Sequence, residues 1–226
     1  QKNKNNKTIY LYLLFLILIS SINNKNFDFK QLLQKKLIFE VSGLSNKDNQ
    51  ELKNKLIIAN NDNIFNLNKN KLSNIIVQNN LALDFLIKKN YPNKVKIYIN
   101  RAELIGKVFK NNKLSIIGSN GKLIEHQTDI ETDLPYFYGK FKRDEFLKFL
   151  KILRQTNFKT ENVLSFYFFP SGRWDINFKD GKKFKLPIQD TKNSLIKALK
   201  LSKDKKNLNN LQIIDLRMAG KIILND

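Results

Sequence analysis

The sequence predicts an α+β protein: an N-terminal transmembrane helix, a β-α-α-β-β domain, then a mostly antiparallel β domain with two helices. Three observations carry that expectation. A greasy segment, Thr8 to Ile22, follows Lys2, Lys4 and Lys7 and is not repeated later in the chain. Behind it, one strand pattern is followed by two helical patterns and two more strands. From Arg101 onward, short alternating segments separated by Asn, Asp and Gly turns dominate.

The segment expectations follow in chain order. Residues 1–7 read as a cytoplasmic tail and 8–22 as a membrane anchor. At about 1.5 Å per residue the anchor spans roughly 22 Å, short of a ~30 Å hydrocarbon core. Snorkelling Lys and Asn flanks and local bilayer thinning would cover the rest. A cleaved signal peptide is the second reading and a buried core helix the third. Residues 23–36 form a connector.

Residues 37–100 make the first domain. Leu37–Val41 is a strand ended by Ser42-Gly43, and Asn46–Ala59 is a helix capped by Ser45 or Asn46 with Leu52 and Leu56 on one face. Asn68 caps a second helix through Leu72, Ile75 and Ile76. Leu81–Ile87 and the alternating Lys94–Asn100 are strands joined at Tyr91-Pro92-Asn93.

Residues 101–226 make the second domain. Glu103–Phe109, Lys113–Ile117 and Lys122–Glu125 read as a meander, and Leu134–Gly139 as an aromatic connector. Arg143–Gln155 is an amphipathic helix with Phe146, Phe149, Leu150 and Leu153 inward. Val163–Phe169 is apolar on both faces and reads as a central strand. Arg173–Phe178 and Lys183–Leu186 form a hairpin about Asp180-Gly181. Thr191 caps a helix through Leu195, Ala198 and Leu199, and Leu211–Leu216 and Lys221–Leu224 close the chain.

Composition narrows the chemistry. The chain of 226 residues has no cysteine, which excludes disulfides, thiolate metal sites and thiol nucleophiles. Its single histidine, His126, leaves His-based metal sites and Ser-His catalysis without parts. Gly118-Ser119-Asn120-Gly121-Lys122 has too few residues between its glycines for a phosphate loop, with Leu123 where Ser or Thr should hold a metal. Asp129, Glu131 and Asp133 read as a solvated loop. No catalytic, metal or cofactor site is expected, so the chain is not read as an enzyme. The net charge of +21 comes from Lys spread along the whole chain. The nearest basic cluster, Gly139-Lys140-Phe141-Lys142-Arg143, leads straight into a helix, so no specific nucleic-acid partner is expected.

The β-α-α-β-β block resembles a POTRA domain, and the whole chain resembles the FtsQ/DivIB family of bacterial cell-division proteins. The resemblance rests on Phe39-Glu40-Val41-Ser42-Gly43-Leu44, Tyr91-Pro92-Asn93-Lys94-Val95, Arg101-Ala102-Glu103, Leu134-Pro135 with Gly139, Gly172-Arg173-Trp174 with Asp180-Gly181, and above all Ile214-Asp215-Leu216-Arg217. Two positions depart from it: Leu104 stands where a Pro is common, and Met218 where an aromatic is common. The resemblance implies a non-enzymatic scaffold, anchored by a single pass in the bacterial inner membrane. Its bulk would lie in the periplasm at the division septum, recruiting FtsB- and FtsL-like proteins through its C-terminal part. Strand addition at an exposed sheet edge is the physical means. The partner-binding residues it implies are Arg217, Met218, Lys221, Ile222, Ile223 and Leu224, with Arg173 and Trp174 as weaker candidates. Arg217 would pair a partner carboxylate, and a core role takes the larger share for Trp174. A polyanion-binding protein, tethered or secreted, and another POTRA-containing assembly protein are the alternatives.

Overall fold

The computed structural model describes residues 2–21, 36–60, 63–110, 113–125, 133–203, 212–218 and 221–225. Helix α1 covers Lys2–Ser21. It corrects the first expectation: among the described residues no helix is long and apolar enough to cross a membrane. Lys2, Lys4 and Lys7 belong to the same helix as the greasy run. The uncharged remainder, Thr8 to Ser21, therefore extends only about 21 Å against a ~30 Å core. Ile22 and all of the connector but Lys36 lie outside the described residues.

The rest divides into two compact units, one of residues 1–75 and 86–98, the other of 76–85 and 99–226. Strand β1 (Ile38–Ser42) is followed by helices α2 (Asn46–Ala59) and α3 (Lys69–Val77), then by strands β2 (Ala82–Asn90) and β3 (Lys94–Arg101), of which residues 76–85 and 99–101 fall in the second unit. The sheet order is β1-β3-β2, with β1 and β3 parallel and Phe39 opposite Val95. Ser45 caps α2 by accepting from the Asp48 amide at 3.1 Å, and Asn68 caps α3 by accepting from the Asn70 amide at 2.9 Å. Phe39, Leu52, Leu56, Leu72, Val95 and Ile97 are buried. The Lys89 ammonium donates to the carbonyls of Ile64 and Leu67, pinning the α2–α3 link.

The second unit is built on a nine-stranded sheet. Its strands are β4 (Leu104–Lys110), β5 (Lys113–Gly118), β6 (Leu123–Glu125), β7 (Tyr136–Tyr138), β8 (Val163–Phe168), β9 (Trp174–Phe178), β10 (Lys183–Lys185), β11 (Ile213–Asp215) and β12 (Ile223–Asn225). They lie in the order β12-β11-β10-β9-β8-β7-β4-β5-β6. The sheet is mixed: β4/β7, β7/β8 and β10/β11 are parallel pairs. For β7/β8 and β10/β11 the cause is a crossover helix, while β4 and β7 are joined through β5 and β6. Helix α4 (Arg143–Gln155) carries the chain from β7 to its parallel neighbour β8, and α5 (Thr191–Lys203) does the same from β10 to β11.

The stretch read as an aromatic connector is thus β7, a three-residue strand deep inside the sheet, with Phe137 buried. Both helices bury their apolar faces in one core: Phe146, Phe149, Leu150 and Leu153 from α4, and Leu195 and Ala198 from α5. Thr191 is the first residue of α5 rather than its cap. Its hydroxyl donates back to the Pro187 carbonyl, while the Asp190 carbonyl accepts from the Ser194 amide.

Candidate partner-binding edge

Strand β12 is the outermost strand of the sheet, and its described neighbour is β11 alone. The ladder fixes which of its amides point outward. The Lys183 amide donates to Gln212 and the Leu216 amide to Lys185, so Gln212, Ile214 and Leu216 turn their backbone groups toward β10. By alternation, Ile213 and Asp215 turn theirs toward β12, where they face Asn225 and Ile223. The N–H and C=O of Leu224, between those two, therefore point away from the sheet. This is the arrangement that an added strand completes.

Side chains follow the same alternation. Leu224 lies opposite buried Ile214 and shares its face of the sheet, yet remains 41% exposed. Ile222 and Ile223 are comparably exposed, and Met218 more so. A groove of about 550 Å³ adjoins this edge, lined by Ile188, Asp190, Ser194, Lys197, Leu216, Arg217, Met218, Lys221 and Ile222. The sequence did not mark Ile188, Asp190, Ser194 or Lys197 for this role. They come from the β10–α5 link and the start of α5, and only the parallel crossover brings them beside β12.

Arg217 is engaged within the chain rather than held open. Its guanidinium donates to both Asp215 carboxylate oxygens, at 2.9 and 3.0 Å from Nε and 2.6 Å from Nη2, and its amide donates at 3.1 Å. Those bonds hold the Asp215 carboxyl below its ordinary value and raise Arg217. Arg217 is thus one half of an ion pair within the chain.

Arg173 and Trp174 lie elsewhere. Trp174 is 5% exposed and stacks on Phe149 at 4.6 Å, inside the core. Arg173 lies over the Phe169 ring at 3.8 Å and reaches Asp175 at 3.4 Å. Asp175 is buried, and burial pushes its carboxyl up despite the cations around it.

The other sequence candidates resolve into structural parts. In the glycine turn, the Gly121 amide donates to Gly118, and the Asn120 side chain donates to the Asn80 and Ala82 carbonyls. Of the basic cluster, Lys142 occupies the N-cap position of α4 and Arg143 donates to the Asn120 carbonyl. His126, Asp129 and Glu131 lie outside the described residues. Asp133 pairs with Lys179.

Residues 108–217 match the family model "Cell division protein FtsQ/DivIB, C-terminal". The match runs from β4 to Arg217. Among curated relatives, the cell division protein DivIB of Clostridium tetani is 36% identical over 98 residues, covering 41% of this chain and 37% of that protein. The cell division protein FtsQ of Bradyrhizobium diazoefficiens is 25% identical over 146 residues, covering 62% of this chain and 42% of that protein. The chain thus matches less than half the length of either relative. The major extracytoplasmic domain of DivIB from Geobacillus stearothermophilus aligns at 17% identity, over 42% of this chain and 87% of that one, with a TM-score of 0.33.

Proposed function

Because the chain belongs to the FtsQ/DivIB family of cell-division proteins, we propose that it is a non-enzymatic scaffold that recruits FtsB- and FtsL-like subunits by strand addition at β12. The observation that carries this reading is the outward N–H and C=O of Leu224 on the last strand of the sheet. An extended partner segment supplies the missing ladder, and alternate partner side chains enter the groove beside Ile222 and Met218. Lys221 and the Arg217–Asp215 pair give the rim a polar, mainly basic character.

We assign the β1-α2-α3-β2-β3 order to a POTRA-type domain, on its element order and the 1-3-2 strand arrangement. We place the protein at the division septum of the bacterial inner membrane, on the periplasmic side, which follows from the family resemblance.

Co-purification with FtsB- and FtsL-like subunits tests the docking edge. Leu224→Pro removes an outward N–H that the sheet itself does not use, so it is expected to abolish partner recovery while the domain stays folded. Undiminished recovery with Leu224→Pro would remove β12 as the docking strand.

A further inference from the structure

The helix-free face of the sheet carries a row of rings that the docking edge does not use. Phe109 of β4, Tyr136 and Tyr138 of β7, Tyr167 of β8 and Phe169 just after it touch in sequence across three adjacent strands. Phe109 is 56% exposed, Tyr138 39% and Tyr167 41%, although each stands on strands paired on both sides. A surface this aromatic, fixed on a paired sheet, has the composition and rigidity of an interface hot spot.

The geometry selects the occupant. Phe109, Tyr136 and Tyr138 are nearly parallel, 6.0 and 5.8 Å apart with planes 5° and 12° from each other. Their faces are turned to one another, and the gap is smaller than the roughly 6.8 Å that a nucleobase stacked on both sides would need, at about 3.4 Å per layer. The Arg173 guanidinium covers a face of Phe169 at 3.8 Å, and the Lys107 ammonium stands 5.5 Å from the centre of Tyr136. Between the stacked rings solvent therefore meets edges and tyrosine hydroxyls, with the Lys107 ammonium and the Arg173–Asp175 ion pair beside them. Ring edges carry the positive end of the quadrupole, and hydroxyls and cations donate to carboxylates. Asp175 lies opposite Tyr167, and its buried carboxylate takes up part of the Arg173 charge, which leaves the Lys107 ammonium and the tyrosine hydroxyls as the donors for a ligand.

We infer that this ring row on β4, β7 and β8 docks an acidic peptide segment of a partner protein, through carboxylates set among apolar side chains. The site is separate from the strand-addition edge: β8 and β12 are four strands apart, roughly 19 Å at ~4.8 Å per strand. One molecule can hold both segments at once.

Fluorescence anisotropy with a labelled glutamate–tyrosine copolymer tests the inference, with an oligothymidylate as second probe. The pair Tyr138→Ser and Tyr167→Ser leaves the net charge unchanged and is expected to weaken copolymer binding about tenfold, with an unaltered circular dichroism spectrum. Unchanged affinity would overturn the proposal, since binding would then be general attraction to a basic protein. If the serine pair unfolds the domain, Tyr138→Phe with Tyr167→Phe decides: a loss of about threefold supports the role of the hydroxyls, and no loss overturns it. Tighter binding of the oligothymidylate, with the same dependence on the tyrosines, would also overturn it.

Discussion

Asp175 and Asp215 both face Lys185 across their strands, and each has an arginine two residues away, yet their surroundings drive them in opposite directions. Asp215 accepts three guanidinium bonds and one amide bond from Arg217, so its carboxyl is held below 3.8. Asp175 has one long contact from Arg173 while almost fully buried, so desolvation prevails and its carboxyl lies above 3.8. Carboxyl-detected NMR is expected to show Asp175 titrating above that value and Asp215 below it. The depressed Asp215 contributes stability that is present above pH 3.8 and lost as pH falls through its folded value. The raised Asp175 acts the other way: its buried charge destabilises the fold at neutral pH, and acid relieves this as pH falls through its folded value toward 3.8. Asp215→Asn is therefore expected to lower stability at pH 7 by on the order of 1 kcal/mol, a modest figure because Arg217 is half exposed. Asp175→Asn is expected to raise the thermal midpoint at pH 7, with the gain fading toward pH 4. Gly139 is a backbone constraint of another kind. Its φ is +95°, and a Cβ there would run into the Phe168 carbonyl. Gly139→Ala should cost on the order of 3 kcal/mol in a denaturant titration.

Strand β12 makes two adjacent residues behave differently. The Ile223 amide faces Asp215 of β11 and the Leu224 amide faces outward. Ile223→Pro is expected to detach β12 and expose Ile214, seen as lost amide protection on β11, whereas Leu224→Pro is expected to leave that protection in place. Residue type alone does not separate the two, because both are exposed aliphatics; only the ladder phase does. Helices were the most legible elements. Arg143–Gln155 and Asn46–Ala59 match their expected bounds because period and first-turn chemistry agree. Strand β7 was misread because three residues show no period, and both its partners are parallel and distant in sequence. The helix at the N-terminus was over-read as a span because Lys2, Lys4 and Lys7 were set apart as a tail and the short greasy run was allowed to thin the bilayer. The lysines are instead the first turns of the same helix and leave it too little apolar length. At the edge, residues 217–224 were marked by the Asp-Leu-Arg resemblance, but the Asp215 clamp on Arg217 and the groove wall from α5 needed the fold.

The whole molecule is two units, each with its own core, and the family match falls in the second. Its net charge of +21 is spread over the chain, so charge alone would make binding steeply salt-dependent and indifferent to the identity of the edge. Strand addition predicts the opposite: modest dependence on salt and strong dependence on one backbone position. The direct test is amide hydrogen exchange on the full chain, alone and with an FtsB-like partner segment bound. Alone, Ile223 and Asn225 are expected to be protected through β11 while the Leu224 amide exchanges fast. With the segment bound, Leu224 should become protected, and a Leu224 amide that still exchanges fast in a saturated complex would contradict docking at this edge.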